Sequence, residues 1–199
     1  NVALKSILKQ DLPINTFEVI VVDNGSTDNT KQVCELFSSA LFNIYYVFAP
    51  HPGLHIGRHA GFKASKSDLL VYADDDIRAS SSWLSSIFTS FNDPNVHLVG
   101  GRYLPDYEVD PPEWLKAFWR KHEFGKTCGY LSLLDFGERV LEIDPRFVWG
   151  LSFAIRKESL LKLGGFHPDS FPWELRRYRG DGETSISLKI KDAGLKAIY

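Results

Sequence analysis

Cysteine is scarce: Cys34 and Cys128 are the only two in the chain. Two thiols this far apart make neither a disulfide scaffold nor a metal-type pair, so both are expected as reduced thiols in a cytosolic setting. No apolar run approaches the ~20 residues that cross a bilayer. No signal-peptide pattern opens the chain either, so a cytoplasmic location is expected, with contact to the cytoplasmic face of a membrane left open. Neither sign of charge dominates, since 23 Lys and Arg face 25 Asp and Glu for a formal charge of -2. A nucleic-acid partner would call for a basic stripe, so that class is set aside. There is no internal repeat, no low-complexity tract and no G-x-G-x-x-G fingerprint of a dinucleotide fold.

What is present is ordinary globular material: 199 residues, 44% apolar and 24% charged. This suits one domain, residues 1–199, with one core. Residues 2–9 read as a helix. Residues 17–22 form a β-branched apolar run suited to a strand covered on both faces. Residues 30–38 then read as helix, 44–48 as strand, 54–66 as helix, 69–73 as strand, 82–91 as helix and 96–99 as strand. After an irregular middle, 148–155 read as strand, 156–163 as helix and 183–193 as a last helix. The alternation predicts an α/β fold with a doubly wound, mostly parallel sheet, whose ligands gather beyond the carboxyl ends of its strands. In the middle, Trp114 to His122 mixes aromatic and basic residues. It reads either as an amphipathic surface helix covering the sheet or as one facing a membrane or an acceptor.

The chemistry concentrates where strands end. Leu69 to Ala73 runs directly into Asp74, Asp75 and Asp76. Adjacent carboxylates raise one another's pKa, and a cation is the natural compensation. One or two carboxylates plus substrate phosphates are the usual holders of Mg²⁺ or Mn²⁺; a solvated acidic turn is the plain alternative. Asp23-Asn24-Gly25-Ser26 follows another strand and precedes a helix start, whose free N–H groups suit an anionic or nucleotide ligand. Gly53, Gly57 and Gly61 recur every four residues and read as close helix packing. His51, His55 and His59 share that spacing without the acid or thiol that would complete a zinc site. Arg58, between them, suits a phosphate or a structural ion pair. Asp181 and Glu183 open the last helix, where the helix dipole favours acids in any case; either could remove a proton from an incoming hydroxyl.

In this order, the segments resemble the family-2 glycosyltransferases of GT-A fold. The stretch from Ser6 to Asp28, the Gly57-Arg58-His59-Ala60-Gly61 segment, Asp74-Asp75-Asp76 as a DxD-like motif, Gly150 to Lys157 and Leu163 to Phe166 carry the likeness. The resemblance implies an inverting transfer of sugar from a nucleotide-diphospho-sugar to a saccharide or lipid-linked acceptor, aided by Mn²⁺ or Mg²⁺. It places Asp23, Asn24, Gly25 and Ser26 at the nucleotide, with Arg58 in support. Asp74 and Asp75 fall at the ribose and diphosphate, Asp76 and Asp74 at the metal, and Glu183 at the base, with Asp181 as second choice. Trp149, Trp173 and Tyr178 are candidates to wall the sugars, Trp149 equally a core residue. Asn24 stands where the family has an acid, and Asp181-Gly182-Glu183 replaces its usual Glu-Asp pair. Its first strand has no counterpart here, so a fragment is expected, with about 15 further residues, a strand and turn, before Asn1 and more chain after Tyr199. Two other classes use the same residue types: a sugar-nucleotide-binding module without turnover, and a metal-dependent phosphate enzyme such as a nucleotidyltransferase.

Overall fold

A computed structural model describes residues 2–40, 43–51, 53–166 and 182–199. The elements run α1 (Val2–Ile7), β1 (Val19–Asp23), α2 (Thr30–Phe37), β2 (Ile44–Phe48), α3 (Leu54–Ala64), β3 (Leu69–Ala73), α4 (Trp83–Ser90) and β4 (Val96–Val99). Then come β5 (Arg120–Lys121), β6 (Lys126–Cys128), β7 (Leu133–Asp135), β8 (Ser152–Arg156), α5 (Lys157–Lys162), α6 (Gly182–Asp192) and β9 (Lys196–Ile198).

The α/β alternation of the first half is the one expected, and the strands form three sheets. β1 and β2 make a parallel pair. Four strands follow the order β3-β8-β4-β9, with β8 antiparallel to both neighbours and β4 parallel to β9. The third sheet, β5-β6-β7, is antiparallel and lies in the stretch where the sequence shows no regular period. Its first strand overturns the helix read over Trp114 to His122. A 3₁₀ turn covers only Glu113–Phe118; Trp119 then turns extended, which frees Arg120 and Lys121 to pair with β6. β8 also starts later than expected, because residues 148–151 form a loop pressed against α3 and α6.

The four-stranded sheet carries the core on both faces. Along β8, Phe153 and Ile155 point into a large cluster with Leu98, Leu134, Phe136, Leu160, Ile186 and Ile190, while Ala154 points to the other face with Ile87, Phe91 and Val99. This is the period of two that a pleated strand imposes. A register shift between Val96 and Leu98 lets Val96 join Val99 on the α4 side. On α6, Ile186 and Ile190 lie one turn apart and are fully buried, which fixes the rotation of that helix.

β1 and β2 attach through α3. Gly57 and Gly61 face β1, and a Cβ at Gly61 would lie 3.3 Å from Val22 Cγ2, so the stripe is a packing surface, as its spacing suggests. Glu18 braces the same junction: one oxygen, Oε1, accepts from the Lys66 and Ser67 amides and the Ser65 and Ser67 hydroxyls. Burial pushes the Glu18 carboxyl up, but these donors outweigh it and hold it below its usual range. Both cysteines are free and buried, and burial raises the Cys34 thiol.

Candidate active site

Three chain segments converge beyond the end of β3. α3 brings His55 and Arg58, which share a face at i, i+3 and are both buried. The first turn of α6 brings Glu183. The loop before β8 brings Trp149 and Gly150. Arg58 Nη1 lies 2.5 Å from Glu183 Oε1, a close charge contact not aligned as a hydrogen bond, with the side chains only 7% and 18% exposed. Glu183 Oε2 lies 3.7 Å from His55 Nε2. The pairing expected as one option for Arg58 is thus made with the very acid read as a base.

The pair is mostly enclosed. The Arg58 guanidinium carbon stands 5.5 Å from the Phe166 ring centre and 6.0 Å from that of Tyr72, distances at which a cation is attracted to an aromatic ring. His55 stacks on Phe166 at 5.3 Å, and His59 Nε2 accepts the Phe166 amide at 3.1 Å, so both histidines pack around Phe166. A Cβ at Gly150 would lie 2.4 Å from Glu183 Oε1 and 2.7 Å from Arg58 Nη2. A side chain there would push Glu183 and Arg58 from their present positions. The Gly150 loop is held in turn by Tyr103, which stacks on Trp149 at 6.1 Å and donates its hydroxyl to the Ser152 carbonyl at 2.9 Å.

The acids after β3 stand differently. Asp75 and Asp76 are exposed and Asp74 is half-buried. Burial raises the Asp74 carboxyl; Arg58 pulls it down, while Asp76, Glu183 and Asp75 add to the rise. Asp74, Asp75, Asp76, Arg58 and Glu183 therefore share one electrostatic neighbourhood. Among the described residues, no three acid, histidine or cysteine side chains converge tightly enough to hold a metal by themselves. The donor set suits a Mg²⁺ or Mn²⁺ ion that takes carboxylates on one side and substrate phosphates on the other, and the crowding of Asp74 by neighbouring acids, only partly relieved by Arg58, points the same way.

The loop after β1 is tightly built. Asp23 accepts from the Tyr46 hydroxyl at 2.5 Å and from the Ser26 amide at 2.7 Å; these bonds hold its carboxyl below the usual range, and the bond to Asp23 pushes the Tyr46 phenol up to about 12. Gly25 takes a positive φ of 81°, a backbone form for which glycine is suited. Asn24 uses its amide on the loop before α3, donating to the Ala49 and His51 carbonyls and accepting from the Gly53 amide. Among the described residues no hydrogen bond joins this loop to Asp74–Asp76. Asp181, Trp173 and Tyr178 lie outside the described residues. His55, Gly150 and Tyr103 are site residues that no motif announces, although Gly150 belongs to a stretch that carries the family likeness.

Comparison with known proteins identifies the family and the fold. The pattern described as Glycosyl transferase family 2 matches residues 2–164. The succinoglycan biosynthesis protein ExoM of Rhizobium meliloti is 28% identical over 180 residues, covering 84% of this chain and 54% of that protein. The O-antigen chain rhamnosyltransferase WbaN of Salmonella anatum is 29% identical over 185 residues, covering 92% and 53%. The chain thus spans about half the length of these curated relatives. Among solved structures, the mannosyltransferase PcManGT from Pyrobaculum calidifontis, in complex with GDP-Man and Mn²⁺, superposes with a TM-score of 0.67 at 21% identity, covering 98% of this chain and 48% of that one. S. aureus TarS 1-349 gives 0.66 at 19% identity, covering 94% and 50%. The fold is GT-A, and the chain belongs to glycosyl transferase family 2.

Proposed function

We propose that residues 1–199 act as the catalytic domain of a metal-dependent, inverting glycosyltransferase, which moves a sugar from a nucleotide-diphospho-sugar to the hydroxyl of a saccharide or lipid-linked acceptor. The observation that carries this reading is the placement of Glu183. It is an enclosed carboxylate anchored through one oxygen by Arg58, within the electrostatic neighbourhood of Asp74 and bordering a cavity.

Asp76 and Asp74 would hold the Mn²⁺ or Mg²⁺ ion; when bound, it neutralises negative charge on the departing diphosphate. Two structural neighbours, PcManGT in complex with GDP-Man and Mn²⁺ and GalNAc-T7 with UDP, GalNAc and Mn²⁺, support a role for a divalent ion. Asp23 and the loop through Ser26 are read as the nucleotide wall. The acceptor hydroxyl donates to the Glu183 carboxylate, its oxygen attacks the anomeric carbon, and the proton passes to the carboxylate. The carbon–oxygen bond to the diphosphate breaks on the opposite face, and its electron pair leaves with the nucleoside diphosphate. Arg58 holds the carboxylate through Oε1, which spares it a search through rotamers.

Glu183→Gln tests the reading. Turnover should fall ~10³-fold, the range of a positioned base, while calorimetry finds metal-dependent sugar-nucleotide affinity within a few-fold. Normal transfer by this variant would remove Glu183 from the role. Sugar-nucleotide binding without transfer by the unaltered protein would make the domain a binding module.

A further inference from the structure

The β5–β6 hairpin and its flanks leave four large aromatic rings in the open. Trp114 and Tyr130 are 64% and 78% exposed, and Phe118 and Phe124 are exposed as well. Trp114 packs edge-on against Phe118 at 5.8 Å and Phe118 against Tyr130 at 5.3 Å, so three of the rings form one cluster. Phe124 sits at the other end of the hairpin, in its turn. Cations lie between. Residues 113–130 hold four Lys and Arg against two acids, in a chain whose overall charge is -2. Glu113 takes Lys116. Arg120, Lys121 and Lys126 are exposed and form no ion pair. Lys121 and Lys126 stand directly opposite each other across the strand pair, where like charges repel. Asp135 faces Lys126 from β7, but its carboxylate is engaged by Arg102 at 2.8 Å. Lys121, Lys126 and Arg139 also line an open cleft of about 490 Å³ beside Phe124.

We propose that this surface docks on an anionic lipid bilayer, with the Trp114, Phe118 and Tyr130 rings in the headgroup layer and Arg120, Lys121 and Lys126 on its phosphates. Aromatic rings alone would suit a protein partner equally. The lysines decide between the two. Protein interfaces are depleted in Lys, whereas Trp, Tyr and Lys together populate the boundary between water and bilayer. There a ring fits beneath the headgroups, and a long stem carries its ammonium to a phosphate. A negative surface also relieves the repulsion between Lys121 and Lys126. Tyr130 belongs to the 3₁₀ turn Gly129–Leu131, and Gly129 and Ser132, at the two ends of that turn, border the same cavity as Glu183. Docking thus brings that cavity close to the membrane, where the sugar of a lipid-linked acceptor lies. This consequence rests on the reading of Glu183 as base; the docking itself does not.

Vesicles of phosphatidylcholine, alone or mixed with phosphatidylglycerol, are floated with the intact protein and its variants, and bound protein is measured against lipid concentration. Binding should require phosphatidylglycerol and weaken as salt is raised. Lys121→Gln combined with Lys126→Gln should weaken it ~10–30-fold, about fivefold for each charge removed. Trp114→Ala should weaken it ~10-fold through lost burial of the ring. These side chains are exposed, so melting curves of both variants should match that of the unaltered protein. Glu183→Gln should float as the unaltered protein does, so the docking test stands whether or not the base assignment does. Equal binding to neutral and anionic vesicles, binding to neither, or full binding by the folded double lysine variant overturns the proposal. So does binding of a single-stranded oligonucleotide, or self-association lost in Trp114→Ala, in place of vesicle binding.

Discussion

Two groups of carboxylates lie at the same end of the molecule, and the chain treats them in opposite ways. Glu183 is enclosed and receives its counter-charge from Arg58. Asp74, Asp75 and Asp76 share a turn in which burial and mutual repulsion raise Asp74, with Arg58 as partial relief. An acid paired by its own protein is poised to act on a proton in a fixed direction. Acids left short of positive charge are poised to take it from a ligand. The division assigns stability to the first group and affinity to the second.

Arg58→Gln presses hardest on the first half of that statement. It leaves a mostly buried carboxylate without its cation, and breaking such a pair costs about 3 kcal/mol. For a chain of this size that is roughly 6–12 °C in Tm, with a fall in turnover; a melting curve unchanged by the substitution would break the comparison. Asp76→Asn tests the second half. Metal-dependent binding of a sugar nucleotide should weaken ~10–100-fold by calorimetry, about 1.4–2.7 kcal/mol, while the ligand-free Tm stays put. Gly150→Ala comes next. The new methyl group overlaps Glu183 and Arg58 together, and overpacking of this kind costs about 1–2 kcal/mol, so Tm should drop and turnover fall without loss of metal-dependent binding.

Glu18 gives the smallest effect and a third case, an acid satisfied by neutral donors. Glu18→Gln should cost about 1 kcal/mol at pH 7. The folded carboxyl holds its proton less tightly than the unfolded one, so its stabilisation is complete above the unfolded pKa of about 4.3. It is lost as the pH falls through the lower folded value. Urea titrations of the two proteins should therefore converge below about pH 4.

Much of this arrangement can be read in the sequence, because it depends on local patterns. β2, β3 and β4 span the residues that their apolar runs mark, and the Gly57 and Gly61 stripe packs on β1 as its period suggests. Asp74–Asp76 follow β3 as the run into them implies. The pieces that escape are those held by distant partners. β5 has two residues and exists because β6 is there to pair with it, so no period could reveal it. β8 runs antiparallel between β3 and β4, an orientation that the alternation of elements, which points to a mostly parallel sheet, does not single out. Arg58 and Glu183 are separated by most of the chain, and their meeting depends on how the tertiary fold brings α3 and α6 together.

Gly150 also has a consequence for how such a protein can change over generations. Its missing side chain, the guanidinium of Arg58 and the carboxylate of Glu183 occupy one volume, although they come from three separate stretches. None of the three can be altered alone without crowding or stranding another. In a set of related sequences, these positions should therefore be inherited as a block, kept together or exchanged together, while the surface around them drifts.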